Sequence, residues 1–147
     1  GPASTVHTPL LLGVEPSKPR LIWDARYLNS VCNHSPVQID GVEKVAQCSW
    51  KGAQQGTLDH TSGFYNVPLA PESWEYFGLC WRGVYYVWTV LCFGWCASPY
   101  IYYSLTHAVA QYLRSQDITT SVWLDHFWMS NFRATPDLSP ISQQKAA

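Results

Sequence analysis

The sequence carries little charge for its length. Only 13% of its 147 residues are Asp, Glu, Lys or Arg, and the formal net charge is -1 at pH 7. Proteins that hold nucleic acid through a broad basic surface collect phosphates with a large excess of Lys and Arg, which is absent here. The composition therefore excludes a broad basic field and leaves room only for a local basic cluster.

Long apolar runs and paired cysteine motifs are also absent. No stretch approaches the roughly 20 apolar residues of a membrane span, and no secretory signal is visible. The number of cysteines is odd, and none of them has CxxC spacing. Buried free thiols are thus favoured over a disulfide framework or a zinc site. We expect an intracellular protein, in the cytoplasm or nucleus, that makes no membrane contact.

Apolar and aromatic residues are abundant instead. They include 8 Trp and 9 Tyr, and 47% of the sequence is hydrophobic, which is typical of a globular chain. A chain of this length buries about two-thirds of its unfolded surface as one domain. We expect that domain to span residues 18–130, after an N-terminal extension over 1–17 and before a polar, flexible tail over 131–147.

The first half of the sequence predicts two strands and a short helix. Apolar and polar residues alternate over 19–25, which predicts a strand that ends in a turn at 27–29. Asp40 and Glu43 have the spacing of a capping box, so Asp40 is the predicted N-cap of a helix. Three residues supply the predicted core face of that helix: Val42, Val45 and Ala46. A second strand is predicted over 56–69, with a tight bend or close backbone approach at Gly63.

The second half predicts two hairpins that flank a helix. Arg82-Gly83 separates two apolar strands, and Asp125-His126 interrupts another pair, so each is the predicted tip of a hairpin. Ser98-Pro99 is a helix start, with Ser98 as N-cap, and the helix should run to about Gln116. Its apolar residues at helical spacing are Ile101, Leu105, Ala108, Val109, Tyr112 and Leu113. The whole order predicts an α+β fold in which helices back an antiparallel sheet.

Two acidic residues lie in strand-like apolar settings. Asp59 and Asp125 each follow a leucine within an apolar stretch. Two carboxylates that meet at the ends of neighbouring strands are what two-metal phosphoryl transfer requires, and aspartate oxygens suit Mg²⁺. The alternative is a pair of strand-end aspartates that accept backbone hydrogen bonds.

Four blocks of the sequence together carry a family resemblance. They are "KPRLIWDARYLN", "LDHTSGFYNVPL", "LCFGWCASPYIY" and "VWLDHF". In this order and spacing they resemble the fingers and palm of a reverse transcriptase from a gypsy-like or DIRS-like retroelement. The resemblance runs from Lys18 to Trp128, roughly three-quarters of the 147 residues. It implies a palm-like sheet backed by helices, a partial fingers region and no thumb.

The resemblance also implies an activity with its cofactor and partners. The activity is RNA-directed DNA polymerase, which extends a primer with deoxynucleotides and uses Mg²⁺, with Mn²⁺ as the alternative ion. The partners are an RNA or DNA template-primer and a dNTP. A thumb or RNase H region would belong to a longer parent protein or to a partner chain.

The resemblance assigns catalytic and metal roles to four residues. Asp59 matches the first catalytic aspartate, and Asp125 matches the first aspartate of the Tyr-x-Asp-Asp hairpin. His126 stands where the second aspartate of that hairpin is expected. The implied metal ligands are Asp59, Asp125 and the backbone carbonyl of His60. The His60 side chain should point away, since neighbouring strand residues face opposite sides.

Further residues match the nucleotide-binding positions of the family. The implied phosphate contacts are the backbone N–H groups of Ser62 and Gly63 and the side chains of Lys18 and Arg20. Phe64 matches an aromatic gate that excludes a ribose 2′-hydroxyl, with an ordinary core aromatic as the alternative. Phe93 and Gly94 match the loop that supports the template base and nucleotide. Arg20 and Arg26 could instead pair with Asp24 or Glu15 at the surface.

His126 makes the catalytic hairpin degenerate. A neutral imidazole brings no negative charge and is a poor ligand for Mg²⁺. The histidine therefore indicates either drift after catalysis was lost or a metal-binding role of its own. The alternative function is a catalytically inactive, retroelement-derived module that binds nucleic acid or a protein partner.

Overall fold

The structure is a computed structural model that describes residues 7–8, 10–15, 18–49 and 52–130. The chain divides into two compact units, the first formed by residues 1–36 and 62–101 and the second by 37–61 and 102–147. The predicted tail over 131–147 lies outside the described residues. The predicted extension over 1–17 lies partly inside them, where it forms two strands.

The first unit contains two small sheets. The elements are β1 (His7–Thr8), β2 (Leu10–Glu15), β3 (Lys18–Trp23), α1 (Arg26–Val31), β5 (Gly78–Trp81) and β6 (Val84–Val87), with short 3₁₀ helices at Gly63–Asn66 and Pro71–Tyr76. Strands β2 and β3 pair antiparallel. Strand β5 pairs antiparallel with β6 and parallel with the short β1.

The β5–β6 hairpin turns at Arg82 and Gly83, as the sequence predicts. Both residues have positive φ angles, 50° and 77°. A two-residue turn with both φ angles positive matches the right-handed twist of the strands that it joins.

Trp23 is the centre of the first unit's core. Its side chain is 1% exposed, its indole Nε1 donates to the Gly78 carbonyl at 3.2 Å, and its ring lies 5.4 Å from that of Phe77. Residues 27–29 do not form the predicted turn but belong to α1, where Leu28 is buried. Burial of that leucine stabilises a helix that is too short to persist on propensity alone.

The second unit is a three-stranded antiparallel sheet with helices. Its strands are β4 (Gln55–Asp59), β7 (Thr119–Trp123) and β8 (His126–Ser130), and β8 lies in the middle. Its helices are α2 (Val42–Cys48) and the part of α3 (Ser98–Ser115) from residue 102 onward. The predicted α+β fold, with an antiparallel sheet backed by helices, is confirmed.

Helix α3 packs on the sheet through a different stripe from the one predicted. Ala110 joins Val122 and Phe127 in the buried cluster, flanked by Tyr103 and Leu113. On α3 the most buried residues are Tyr102, Thr106 and Ala110, at 4%, 2% and 0% exposure, whereas the predicted core residues Leu105, Val109 and Tyr112 are exposed. The buried face of α3 is thus centred on Tyr102, Thr106 and Ala110, while Leu113 of the predicted set still packs against the cluster.

The start of α2 also differs from the prediction. Gly41, not Asp40, is the N-cap, and the Gly41 carbonyl accepts the Lys44 backbone N–H at 3.1 Å. The Asp40 carboxylate instead contacts Lys44 Nζ at 2.7 Å and Arg114 at 3.4 Å. Val42, placed in the core by the sequence pattern, is exposed.

Among the described residues, no helix is long and apolar enough to cross a membrane.

Candidate metal centre

Three side chains with metal-binding atoms meet at one end of the second unit's sheet. Strand β4 ends at Asp59, which is directly opposite His126 in β8. His126 is also opposite Trp123 in β7. The hairpin tip is therefore Leu124-Asp125, one residue earlier than predicted, and His126 is the first residue of a strand. One ligand atom from each of Asp59, Asp125 and His126 lies within 4.8 Å of the others.

The three side chains are open to solvent. The exposed fractions are 51% for Asp59, 44% for Asp125 and 61% for His126. His126 Nδ1 is 3.4 Å from Asp59 Oδ1, and His126 Nε2 is 3.8 Å from Asp125 Oδ1. Both separations exceed the usual length of an N–H···O hydrogen bond. The imidazole thus lies between the two carboxylates without a close hydrogen bond to either.

The backbone fixes the turn that carries Asp125. Leu124 has a φ angle of 48°, a left-handed conformation that costs a side-chain-bearing residue free energy. The Asp125 carbonyl accepts the His60 backbone N–H at 3.0 Å. This bond continues the β4–β8 ladder past Asp59 and holds the two aspartates at the same edge.

The His60 side chain faces away from the three ligands, as the strand pattern predicts. Its Nδ1 is 2.5 Å from the Tyr102 hydroxyl, and its ring lies 5.0 Å from the Phe127 ring. A metal role for the His60 backbone carbonyl stays a prediction.

Tyr102 is a residue of this region that the sequence reasoning missed. Burial raises the pKa of its hydroxyl, and the charges of Asp125 and Asp59 raise it further. The phenol therefore stays protonated beside His60. Tyr102 follows Ile101, which the sequence pattern placed on the buried face of the helix. Tyr102 would have been found only if the buried face had been predicted one residue further along.

The loop that contains Phe93 and Gly94 lies in the first unit and is held by close backbone contacts. Gly94 has a φ angle of 111°, and a side chain there would collide with the Trp23 carbonyl oxygen. The Asn29 side chain binds the loop twice: its Nδ2 donates to the Gly94 carbonyl and its Oδ1 accepts the Cys96 N–H, each at 2.8 Å. Asn29 ends the first quoted sequence block, yet its role was not predicted.

Cys92 and Ser98 border this loop and are fully buried. The Ser98 hydroxyl donates to the Cys92 carbonyl at 2.8 Å, and α3 begins at Ser98 itself. Burial raises the pKa of the Cys92 thiol to about 12. The four described cysteines, Cys32, Cys80, Cys92 and Cys96, are free thiols, as expected.

The aromatic residues of the predicted nucleotide site pack together in the first unit. The rings of Phe64 and Phe93 stack at 5.0 Å, and Tyr65 contacts Phe93 edge-on at 5.7 Å. Before them, Ser62 adopts the left-handed conformation with a φ angle of 53°, while Gly63 is buried. The bend predicted at Gly63 is thus made by Ser62.

Lys18 and Arg20 lie in β3, opposite Glu15 and Gly13 of β2. Their side chains lie outside the described part, so their phosphate contacts stay predictions.

Arg26 pairs with Asp24, with Nη2 and Oδ2 2.7 Å apart, and this guanidinium lowers the pKa of the Asp24 carboxyl.

Comparison with solved structures identifies the fold. The native prototype foamy virus protease-reverse transcriptase has a TM-score of 0.70 and 26% identity, over 89% of this chain and 17% of that one. A foamy viral protease-reverse transcriptase in complex with dsDNA has a TM-score of 0.75 and 24% identity, over 93% of this chain and 28% of that one. The chain has a reverse-transcriptase-like fold.

The reverse-transcriptase-like region is also similar in sequence to viral polyproteins. It is 32% identical over 97 residues to the Pro-Pol polyprotein of feline foamy virus, which is 65% of this chain and 8% of the polyprotein. It is 31% identical over 100 residues to that of simian foamy virus type 1, which is 67% of this chain and 9% of the polyprotein. No family model matches the chain. The chain thus spans less than a tenth of these relatives, and its gypsy-like or DIRS-like subtype stays a prediction.

The donor set of this reverse-transcriptase-like region fits a divalent cation. Asp59 and Asp125 offer the carboxylate oxygens that Mg²⁺ and Mn²⁺ accept, and their exposure leaves positions for water or phosphate oxygens. His126 adds a nitrogen in place of a third carboxylate. The centre therefore fits a divalent ion, but it suits Mg²⁺ less well than a set of three carboxylates would.

Proposed function

We propose that residues 18–130 are the fingers-palm part of an RNA-directed DNA polymerase of a retroelement. The observation that carries the proposal is the meeting of Asp59 and Asp125 beside the β7–β8 hairpin. The reverse-transcriptase-like fold and the similarity to foamy viral Pro-Pol support it. The reaction joins the 3′-oxygen of a primer to the α-phosphorus of a deoxynucleotide and releases pyrophosphate.

In this proposal Asp59, Asp125 and the His60 carbonyl hold the divalent ions. When bound, these ions supply charge neutralisation at the triphosphate and at the attacking oxygen. The aspartates are suited to this task because the ladder between β4 and β8 fixes their backbones while their side chains stay open to solvent. Such chemistry depends on positioning and electrostatics more than on covalent participation by the protein.

In this proposal the nucleotide is bound by the residues that match the nucleotide-binding positions of the family. The N–H groups of Ser62 and Gly63 contact the triphosphate, and the left-handed turn at Ser62 is the kind of backbone geometry that presents such groups to an anion. Lys18 and Arg20 supply positive charge to the phosphates. Phe64, stacked on Phe93, selects against a 2′-hydroxyl, and Gly94 belongs to the supporting loop.

His126 lowers the activity with Mg²⁺ in this proposal. A third carboxylate would bring a further negative charge to the two metal positions, and the imidazole does not. We expect polymerisation to be stronger with Mn²⁺, because Mg²⁺ demands a near-ideal set of oxygen ligands and tolerates the loss of a carboxylate less well.

A second candidate function is a catalytically inactive, retroelement-derived module that binds nucleic acid or a protein partner. The observation that favours it is also His126, which occupies the β8 position opposite Asp59. The two candidate functions share the fold. They differ in whether the cluster of Asp59, Asp125 and His126 catalyses primer extension.

The proposed partners are an RNA or DNA template-primer and a dNTP, inside the cell and away from membranes. Foamy viral neighbours have been solved with dsDNA and with an RNA/DNA hybrid. Because the chain spans a small share of those proteins, we propose that a thumb or RNase H region is supplied by a longer parent or a partner chain.

Primer extension on an RNA template tests the proposal. The wild type, Asp59→Asn and His126→Asp are compared with Mg²⁺ and then with Mn²⁺, and circular dichroism checks that each variant is folded. We expect extension by the wild type with Mn²⁺, none by Asp59→Asn, and extension with Mg²⁺ by His126→Asp. Folded proteins that extend nothing under any of these conditions would favour the inactive binding module.

A further inference from the structure

We propose that Tyr102 is a positioning residue: by binding the His60 side chain, its hydroxyl holds the backbone that carries Asp59 and sets this aspartate against Asp125. The inference rests on the proposed function only in taking the two aspartates as the reactive centre. It goes further in assigning a role to a buried tyrosine that the family resemblance leaves without one.

His60 connects the two aspartates through its backbone. It follows Asp59, the last residue of β4, and its N–H donates to the Asp125 carbonyl at 3.0 Å. His60 is thus joined to one aspartate by a covalent bond and to the other by a hydrogen bond. Because β4 has already ended at Asp59, the conformation of His60 depends on the contacts of its own side chain. A shift of His60 would therefore change the separation of the two carboxylates.

The His60 side chain is held by helix α3 and by strand β8. Its Nδ1 is 2.5 Å from the Tyr102 hydroxyl, and its ring lies 6.2 Å from the Tyr102 ring and 5.0 Å from the Phe127 ring. Tyr102 is 4% exposed and belongs to α3, which packs on the strands through Ala110. The hydroxyl is therefore carried by a fixed part of the second unit.

The hydroxyl supplies a restraint that ring packing does not. The contact with Phe127 is non-directional and allows the imidazole to turn or slide, whereas a hydrogen bond fixes a distance and an angle. A phenol carries its proton at neutral pH. It can donate to Nδ1 or accept from it, so the bond forms with either neutral tautomer of the imidazole. Tyr102→Phe removes this restraint while its ring still fills the same space.

Hydrogen exchange of the full chain tests the inference without any measurement of polymerase activity. It is followed by NMR for the His60 amide, which donates to Asp125, and for the amides of β8. The variants are Tyr102→Phe, His60→Leu and His60→Asn, of which only the last keeps polar atoms near the position of Nδ1. The control is Tyr103→Phe, because Tyr103 is a half-buried tyrosine of the same helix whose ring lies beside His107.

We expect Tyr102→Phe and His60→Leu to raise the exchange rate of the His60 amide at least about tenfold and to leave the β8 amides within about twofold. His60→Asn should restore most of the protection, since it can still bind the tyrosine hydroxyl. Tyr103→Phe should exchange as the wild type does.

Primer extension with Mn²⁺ provides the second readout. Tyr102→Phe should lower kcat about tenfold and leave the KM for the dNTP within about twofold, because the aspartates are displaced while the nucleotide contacts remain. In the His60→Leu background the same change should have no further effect, since the hydroxyl acts through His60.

The inference is overturned if Tyr102→Phe leaves the His60 amide or kcat as in the wild type. It is also overturned if exchange rises equally throughout β8, which is the result for a residue that only stabilises the fold. Failure of the proposed function is a separate result. A chain in which Tyr102→Phe exposes the His60 amide, but in which no variant extends a primer, would keep this inference and contradict the polymerase proposal. Extension by the wild type and by Tyr102→Phe at equal rates would do the reverse.

Discussion

The loop around Gly94 and the cluster around Asp59 are built in opposite ways. In the loop, the backbone is held by other parts of the unit: the Asn29 side chain bonds Gly94 and Cys96, and the Trp23 backbone carbonyl lies against Gly94. In the cluster, the backbone is fixed by strand pairing, while the side chains of Asp59 and His126 remain more than half exposed.

This difference separates stability from function along the same chain. A side chain that is packed on every side contributes to folding, so its replacement changes the free energy of unfolding. An exposed side chain on a fixed backbone can be replaced at little cost to folding and remains free to bind a ligand. We therefore expect changes in the loop to lower stability and changes in the cluster to alter cation binding.

The largest expected effect concerns Cys92, which borders the loop. A thiol with a pKa of about 12 has about a thousandfold less thiolate near neutral pH than one with an ordinary pKa of about 8.5. Alkylation by iodoacetamide, followed for each cysteine by mass spectrometry, should therefore leave Cys92 unmodified in the native protein. All five cysteines should react alike in urea, which is the control.

The same thiol makes stability depend on pH in a defined direction. The pKa of this thiol is raised in the folded state. Its contribution to the free energy of unfolding is therefore complete below about pH 8.5 and is lost as the pH rises towards 12. Rapid alkylation of native Cys92 at pH 8 would contradict the packing described for this loop.

Next in size is the effect of a side chain at Gly94. Gly94→Ala combines a positive φ angle with a collision against the Trp23 carbonyl, so we expect a loss of at least about 3 kcal/mol in the free energy of unfolding. Gly83→Ala is the matched control, because Gly83 has a φ angle of 77° and open space around it. It should lose only about 1 to 2 kcal/mol in urea denaturation. Equal losses would show that the loop is not closely packed.

A smaller loss is expected for Asn29→Ala. This change removes two hydrogen bonds to the loop, and partial access of water limits the cost to about 1 to 2 kcal/mol. Asn33→Ala is the control, since Asn33 is exposed. Thermal unfolding of the two variants side by side measures the difference in stability. If Asn29→Ala were as stable as the wild type within error, Asn29 would not stabilise the loop.

The smallest effect on stability is expected in the cluster. Asp59→Asn should change the free energy of unfolding by no more than about 0.5 kcal/mol, because the side chain is half exposed and lies near another carboxylate. The same variant should nevertheless lose most of its Mn²⁺ affinity. A large loss of stability would instead mean that Asp59 is a structural residue, as in the alternative of a strand-end aspartate.

The sequence predicted the elements of the fold better than their contacts. Turn chemistry at Arg82-Gly83 and the interruption at Asp125 located both hairpins, because those signals are local. Helix α3 was also predicted, but not its buried face. Apolar periodicity allowed Leu105 and Val109 to face the core, and only packing against β7 and β8 selected the smaller residues Thr106 and Ala110.

The site shows the same limit. The meeting of Asp59 with Asp125 followed from the motif blocks, whereas the place of His126 depends on strand register. A shift of one residue moves a side chain to the other face of the sheet, and the tip proved to be Leu124-Asp125. Asn29 and Asp40 act through residues far along the chain, namely Gly94 and Arg114, and local patterns cannot show such contacts.

One measurement tests most directly the central claim that the open cluster is the cation-binding centre. Two-dimensional ¹H–¹⁵N spectra of the chain are recorded during titration with substoichiometric Mn²⁺, whose unpaired electrons broaden signals of nearby residues. We predict that the amide signals of Asp59, His60 and residues 124–127 broaden first, and that Asp59→Asn abolishes this selectivity. First broadening at any other set of residues, or uniform broadening along the chain, would contradict the account.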